Sequence, residues 1–433
     1  MVDVEGPRQP PGPLTVWIVQ NGEELPVDAG PPRLMRQALL ARELAVRGHE
    51  VTYWASTFNH QQRIQRADAL DGTVVADGYR VRLLPARSYV GNVSVERILS
   101  HREAAASFRR LSARAPRPDV VVAGYPTIEL AHSAVAFART SRIPVVVDVR
   151  DQWPDIIETQ VTGARRLLTS GVFRHWRRLR RDIVSGATAV SGITDEFVDW
   201  ALAVGGRRRG PLDRAFPLSP PLPAADAAQA RAADAYWDDL VGPSDGRSVW
   251  AAYPGTLAAR TDLMTVVRAS ALLEEDARER LRIVICGRGD LEAEIGAAAE
   301  ENPTLVYAGR RNAAEVHALL ARCAFGLMPY HRTTDFMMSY PNKLGEFLSH
   351  GLPVLTGLQG VSGRLLSEHD LLMGYEPGDV QSCAAALSTA AVTPVDPERG
   401  RRARELYECN FDPEVVYPAY ATHVEQVALS TTA

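Results

Sequence analysis

Two runs of nearly consecutive valine constrain this chain more than any other feature. Asp119-Val120-Val121-Val122-Ala123 and Ile143-Pro144-Val145-Val146-Val147-Asp148 show no alternation of polar and apolar residues. A strand with one wet face would alternate, so continuous runs of this kind mark strands covered on both faces. Covering both faces requires helices between the strands, and therefore a parallel sheet.

The rest of the chain repeats that unit. Leu14–Val19 reads as a buried strand, Leu34, Ala38, Leu39 and Leu44 recur at helical spacing, and Gly48 stops that helix before the strand Glu50–Ala55. A helix follows over Ile128–Thr140, a longer one over Arg165–Val184, and a further strand over Ala187–Ser191. From Gly205 to Arg247 the composition shifts to Gly, Pro and an alanine-rich helix, read as a linker with a decorating helix. Then the pattern restarts. Val249–Tyr253, Leu281–Cys286, Thr304–Ala308 and Ala324–Met328 each end in a small or turn residue before a helix. The expected fold class is α/β, with two doubly wound Rossmann-like domains and a ligand cleft at the carboxyl ends of their strands. The expected boundaries are 1–213, a linker at 214–248, 249–411, and a C-terminal helix at 412–433 returning to the first domain.

A chain of 433 residues is too long for one ordinary core, which agrees with two domains. Its formal charge of -4 argues against nucleic acid as a partner. Cys286, Cys323, Cys383 and Cys409 form no CxxC pair, so neither a zinc site nor a disulfide framework is expected. The proline-rich start lacks an apolar signal region and no run is long enough to span a bilayer, so a cytoplasmic location is expected.

Of the 48 Lys and Arg residues, only Lys343 is a lysine. It lies in Pro341-Asn342-Lys343-Leu344-Gly345-Glu346, where Pro341 suits the first turn of a helix. Unpaired N–H groups at that helix start and the lysine charge make an anion site natural. Glu346, one turn on, can accept from a ribose diol; a solvated Lys343–Glu346 pair is the structural alternative. Pro254-Gly255-Thr256, with Arg260 just beyond, and Gly287-Arg288-Gly289 are small loops after strands that suit a phosphate, or else are tight turns. Gly309 ends a third such strand.

Pro341–Phe347 followed by His350-Gly351-Leu352-Pro353-Val354-Leu355 resembles the donor-site motif of family 4 glycosyltransferases, which have the GT-B fold. Ala38–Ser56 looks like their first helix and second strand. Val145–Asp155 is similar to a signature of the capsular and exopolysaccharide branch. The resemblance implies a retaining transferase that uses a nucleotide diphosphate sugar, of UDP or GDP type, with no other cofactor and no metal. It implies that Glu346 binds the ribose, that Asn342 belongs to the same site, and that Arg260, Arg288 and Lys343 meet the diphosphate. The acid expected eight residues before Glu346 is Met338, so Asp335 is the substitute for the donor-sugar contact. Where many members carry arginine after the glycine, this chain has Thr256.

In the first domain, Gly30 lies in the loop that approaches the donor phosphates in relatives. His60, Tyr125, Arg150 and Asp151 follow expected strands and are candidates for the acceptor. Asp151 either orients and deprotonates the acceptor hydroxyl or serves as an ion-pair or helix-cap residue. Val172, Phe173, Trp176, Leu179 and Ile183 form an apolar stripe under arginines. That stripe is either core or a peripheral membrane contact over 172–183 on the inner face. The acceptor is then a lipid-linked saccharide of a surface polysaccharide or a soluble small molecule. A sugar-nucleotide 2-epimerase and an inactive sugar-nucleotide-binding protein are the competing readings.

Overall fold

The computed structural model describes residues 12–28, 34–67, 71–91, 94–161, 164–222, 226–242 and 247–430. The chain divides into two compact units, Met1–Pro220 with Glu414–Ala433, and Pro221–Pro413.

Unit 1 contains β1 (Thr15–Val19), β2 (Glu50–Ser56), a short antiparallel hairpin of β3 (Phe58–Asn59) and β4 (Ile64–Gln65), β5 (Arg80–Leu84), β6 (Val120–Tyr125), β7 (Val145–Val149), β8 (Ala189–Gly192) and β9 (Arg214–Ala215). Seven of these form one parallel sheet in the order β5-β2-β1-β6-β7-β8-β9. The valine strands β6 and β7 are buried along their whole length, as two-sided coverage requires. Winding reverses between β1 and β6, which opens a crevice at their carboxyl ends.

A buried polar brace ties this sheet to its helices. Asp148 on β7 is fully buried, and Arg36 of the helix Arg36–Val46 grips both its oxygens at 2.9 and 3.0 Å. Gln37 Nε2 donates to Asp148 at 2.6 Å, and Ser191 Oγ at 2.8 Å. Ser191 also meets the Tyr420 hydroxyl at 2.8 Å, and Arg36 stacks 4.7 Å from the Tyr420 ring centre. Tyr420 belongs to the helix Pro413–Leu429, whose Val416, Tyr417, Val424 and Val427 lie in the same core as β1 and β2. An ion pair this deep survives only because nearly every charged atom has a partner. The arginine holds the Asp148 carboxyl below the usual range against the opposing effect of burial.

Unit 2 contains β10 (Val249–Pro254), β11 (Leu281–Cys286), β12 (Leu305–Gly309), β13 (Phe325–Leu327), β14 (Val354–Thr356) and β15 (Leu372–Gly374). They form a parallel sheet in the order β12-β11-β10-β13-β14-β15, again reversing beside the first strand. Two parallel-sheet α/β domains are thus present.

The segment expected to be a linker holds the boundary between the units, at Pro220–Pro221, but both of its ends are built into the units themselves. Arg214–Ala215 is the edge strand β9 of the first sheet, and the helix Ala227–Leu240 is part of the core of unit 2. Trp237 of that helix is fully buried and donates its indole N–H to the Glu315 carbonyl at 2.7 Å. Alanine content hid this, because a single tryptophan provides most of the apolar face. Asp213, just before this segment, is buried and accepts from the Val190 and Gly210 amides at 2.8 Å each. Among the described residues no helix is long and apolar enough to cross a membrane.

Candidate functional site

In unit 2 the helix Asn342–Ser349 is positioned by β13. Gly326 has no side chain, so the Phe347 ring packs directly on the strand; a Cβ there would sit 2.4 Å from the ring. Pro341 occupies the N-cap, one residue outside the helix rather than in its first turn. The Leu344 amide donates to the Pro341 carbonyl at 2.8 Å, while the Asn342 and Lys343 amides precede the first intrahelical acceptor. Asn342 is exposed, while Lys343 and Glu346 are half-buried on the same side, one turn apart.

Lys343 enters a slot between two tyrosines at the switch point of the sheet. Its Nζ donates to the Tyr330 hydroxyl at 3.0 Å and lies 4.5 Å from the Tyr253 ring centre and 5.4 Å from that of Tyr330. Tyr253 ends β10 and donates to the Thr256 carbonyl at 2.9 Å. Burial raises the Tyr253 pKa, with Lys343 opposing, and pushes that of Tyr330 up to about 12. Both phenols are therefore neutral, and neither cancels the lysine charge.

Gly255 forms the wall of that slot. It has φ +154, and a Cβ on it would lie 2.5 Å from Lys343 Nζ. Behind it, Gly287 and Gly289 let the next loop close on the first. Cβ atoms on these two would lie 1.8 Å from the Gly255 carbonyl oxygen and 2.4 Å from that of Leu257. The Gly255 amide donates to the Cys286 carbonyl, that of Leu257 to Arg288, and that of Gly287 to Gly309. The glycines chosen at strand ends thus build one layered loop structure, with the Arg288 side chain exposed on it.

Two further candidates pair with each other. An Arg260 guanidinium nitrogen contacts Asp335 Oδ2, and the guanidinium stacks 4.6 Å from the Phe336 ring centre. Asp335 Oδ1 accepts from Thr333 at 2.6 Å. Asp335, expected at the donor sugar, has one oxygen on Arg260 and the other on Thr333 of its own loop. Met338 ends the short helix Thr334–Met338 that carries Asp335. That helix is seated hard on Gly360, where a Cβ would come within 1.9 Å of the Met337 carbonyl oxygen.

In unit 1, Gly30 lies outside the described residues. Tyr125, at the end of β6, is only 1% exposed, and its hydroxyl donates to the Trp153 carbonyl, an arrangement suited to bracing rather than contacting a ligand. Arg150 pairs with Glu23, which also accepts from Tyr53 at 3.1 Å and from the Gln37 amide at 3.2 Å. His60 Nδ1 lies 2.8 Å from the Tyr89 hydroxyl. Burial, then Arg97 and Arg63, lower the His60 pKa to about 4, so the ring is neutral at pH 7. Asp151 is half-buried and close enough to Arg97 to favour its charge. The stripe on the helix Ala164–Ser185 is core: Phe173, Trp176 and Ile183 are buried, and Trp176 donates to Glu129 at 2.9 Å.

Tyr253, Tyr330, Tyr89, Arg63 and Arg97 escaped the sequence reading. The two slot tyrosines had a signal, an aromatic residue where a buried strand meets its loop. The other three lie in 56–118, which has no long apolar run to anchor a reading.

Comparison with known proteins bears on the family and the fold. A family model described as Glycosyl transferase 4-like domain matches residues 35–212, and one described as Glycosyl transferases group 1 matches residues 250–391. No curated protein matches the sequence. Among solved structures, sucrose-phosphate synthase from Thermosynechococcus elongatus aligns with TM-score 0.68 at 15% identity, covering 96% of this chain and 99% of that one. A trehalose-phosphate synthase from Burkholderia vietnamiensis gives 0.69 at 14%, over 97% and 99%. Anabaena HepE in complex with UDP gives 0.64 at 12%, over 95% and 100%. At such identities the structures speak to the fold, while the two family matches together cover most of the chain. The chain belongs to the glycosyltransferases of GT-B fold.

Proposed function

We propose that the protein is a retaining, metal-independent glycosyltransferase that moves a sugar from a nucleotide diphosphate sugar to a hydroxyl acceptor. The Lys343 slot carries this reading. The chain's one lysine is held by two neutral tyrosines against a glycine, at a helix start whose Asn342 and Lys343 amides precede the first intrahelical acceptor. A diphosphate is the group such a site suits. Arg260, positioned by Asp335, and Arg288 add charge as the leaving diphosphate becomes more negative. Glu346 accepts from the ribose. HepE, a protein of similar fold, is described with UDP, which favours a uridine donor.

Retention then follows without a protein nucleophile. The departing phosphate takes the acceptor proton on the face it leaves, and the protein contributes placement and positive charge. Unit 1 holds the acceptor, with Asp151 orienting its hydroxyl; His60 is neutral and bonded to Tyr89. The acceptor is the carried saccharide of a surface polysaccharide or a small molecule, in the cytoplasm. With its apolar stripe buried, 172–183 would meet a membrane only through exposed arginines such as Arg174, Arg178 and Arg181.

The test is the anomeric configuration of the product made from an α-linked donor, read by proton NMR. Retention supports the proposal, and an inverted linkage overturns it. A 2-epimerised sugar nucleotide formed without acceptor would favour the epimerase reading instead.

A further inference from the structure

Within unit 1 a second group of side chains gathers around one ring. Arg63 and Arg97 both place their guanidinium carbons near the Tyr89 ring, 5.5 and 5.8 Å from its centre. Arg97 also lies 4.9 Å from the ring centre of Trp153. These residues come from segments that follow three parallel strands, with Arg63 in the turn of the β3–β4 hairpin and Arg97 in the first turn of the helix Val95–Ser112. Arg63 follows β2, Tyr89 and Arg97 follow β5, and Trp153 follows β7.

The chemistry of the group is that of hydrogen-bond donation. The Tyr89 hydroxyl lies 2.8 Å from His60 Nδ1; a phenol is the stronger acid and a neutral imidazole nitrogen the better acceptor, so Tyr89 donates and the His60 proton stays on Nε2. Two guanidinium groups and a neutral imidazole N–H are thereby presented together. Two like charges share one ring: burial above all, and Arg63 after it, disfavour the Arg97 charge, and Tyr89 and the Asp151 carboxylate only partly relieve this. An anionic ligand would relieve the same repulsion.

Arg63 is also held in place rather than loosely tethered. It has φ +60, a left-handed backbone that non-glycine residues rarely adopt. The loop is fixed by Asn59, whose Oδ1 accepts from the Gln61 and Gln62 amides and whose Nδ2 donates to Asp28. Asp28 in turn is gripped by the buried Arg66 at 2.6 and 2.7 Å. A rigid support is what a recognition site needs.

We infer that Arg63 and Arg97, with His60 Nε2, recognise a phosphate or diphosphate group on the acceptor. This rests on the reading of unit 1 as the acceptor side. The shared chemistry is a phosphoryl group, whether on a free sugar phosphate or on the diphosphate of a lipid-linked saccharide.

The full chain is titrated calorimetrically with glucose, glucose 6-phosphate, inorganic pyrophosphate and farnesyl diphosphate, first alone and then with the donor nucleoside diphosphate at saturation. At least one phosphorylated ligand should bind about tenfold or more tighter than glucose, and Arg63→Gln should remove that preference. Arg63 is exposed, so this variant is expected to fold; Arg97→Lys tests the second cation. A preference for farnesyl diphosphate identifies a lipid-linked acceptor, and one for glucose 6-phosphate a free sugar phosphate. Equal binding of charged and neutral ligands, or a preference that survives Arg63→Gln, overturns the inference while leaving the donor site standing. Failure of every nucleoside diphosphate to bind removes the donor reading, and the titrations without nucleotide still decide the phosphate site.

Discussion

The Lys343 ammonium donates to the Tyr330 hydroxyl at 3.0 Å while its charge faces the Tyr253 ring at 4.5 Å. An ammonium has three protons, so this arrangement aims the group and still leaves one to offer. Tyr330→Phe removes the aiming contact and keeps the ring. It should leave the fold intact and raise the dissociation constant for a nucleoside diphosphate about three- to tenfold, measured by calorimetry. An unchanged constant would show that Tyr330 plays no part in placing the lysine.

Gly255→Ala should cost as much affinity as removing the lysine. The new methyl would lie 2.5 Å from Lys343 Nζ and push it out of the slot, and its backbone at φ +154 suits only glycine, with strain of about 1–3 kcal/mol. The control is Gly296→Ala in the helix Glu292–Glu301, where the nearest atom is 3.9 Å away. That change should be neutral or stabilise by up to about 1 kcal/mol, read as a melting shift. Equal behaviour of the two variants would contradict the packing argument.

How much of this was legible in the sequence depended on how each feature is encoded. Continuous valine at 120–122 and 145–147 could only be two-sided strands, so the α/β class was readable. The lone Lys343 and the strand-end glycines marked where an anion site belonged, but not the tyrosine walls, since any buried aromatic looks like core. Asp148 stands in the same signature as Arg150 and Asp151, yet it is a fully buried brace. Sequence spacing does not separate a carboxylate facing a ligand from one facing an arginine.

That brace gives a prediction of its own. Asp148→Asn leaves Arg36 buried without its counter-charge and should destabilise unit 1 by about 3–5 kcal/mol. Nucleoside diphosphate affinity of the folded protein should not change, because the donor residues lie in unit 2. Lost affinity in a variant that still melts cooperatively would argue against this division of labour.

Stability should fall with acidity, chiefly through buried histidines. His423 has no hydrogen-bond partner on either ring nitrogen; burial, then Arg214, lower its pKa to about 4, with Asp213 and Asp148 opposing. Burial, then Arg97 and His60, lower that of His101 to about 3. With an unfolded value near ~6.5, the unfolded chain binds more protons in this range, so their contribution is complete above that pH. It is lost as pH falls toward the folded value, by about 1.4 kcal/mol per pH unit for each histidine. His423→Phe should reduce the slope of stability between pH 6.5 and 4 by one such share without loss at pH 7.5. An unaltered slope would show that His423 does not titrate as described.

The account centres on a nucleoside diphosphate held at Lys343 and Glu346, and a thermal-shift screen of UDP, GDP and dTDP tests it most directly. One base should raise the melting midpoint of the wild-type chain in a concentration-dependent way, as ligand binding to the native state requires. In Lys343→Ala and in Glu346→Ala that rise should disappear. If it persists in both variants, the nucleotide binds elsewhere and the donor site described here is wrong.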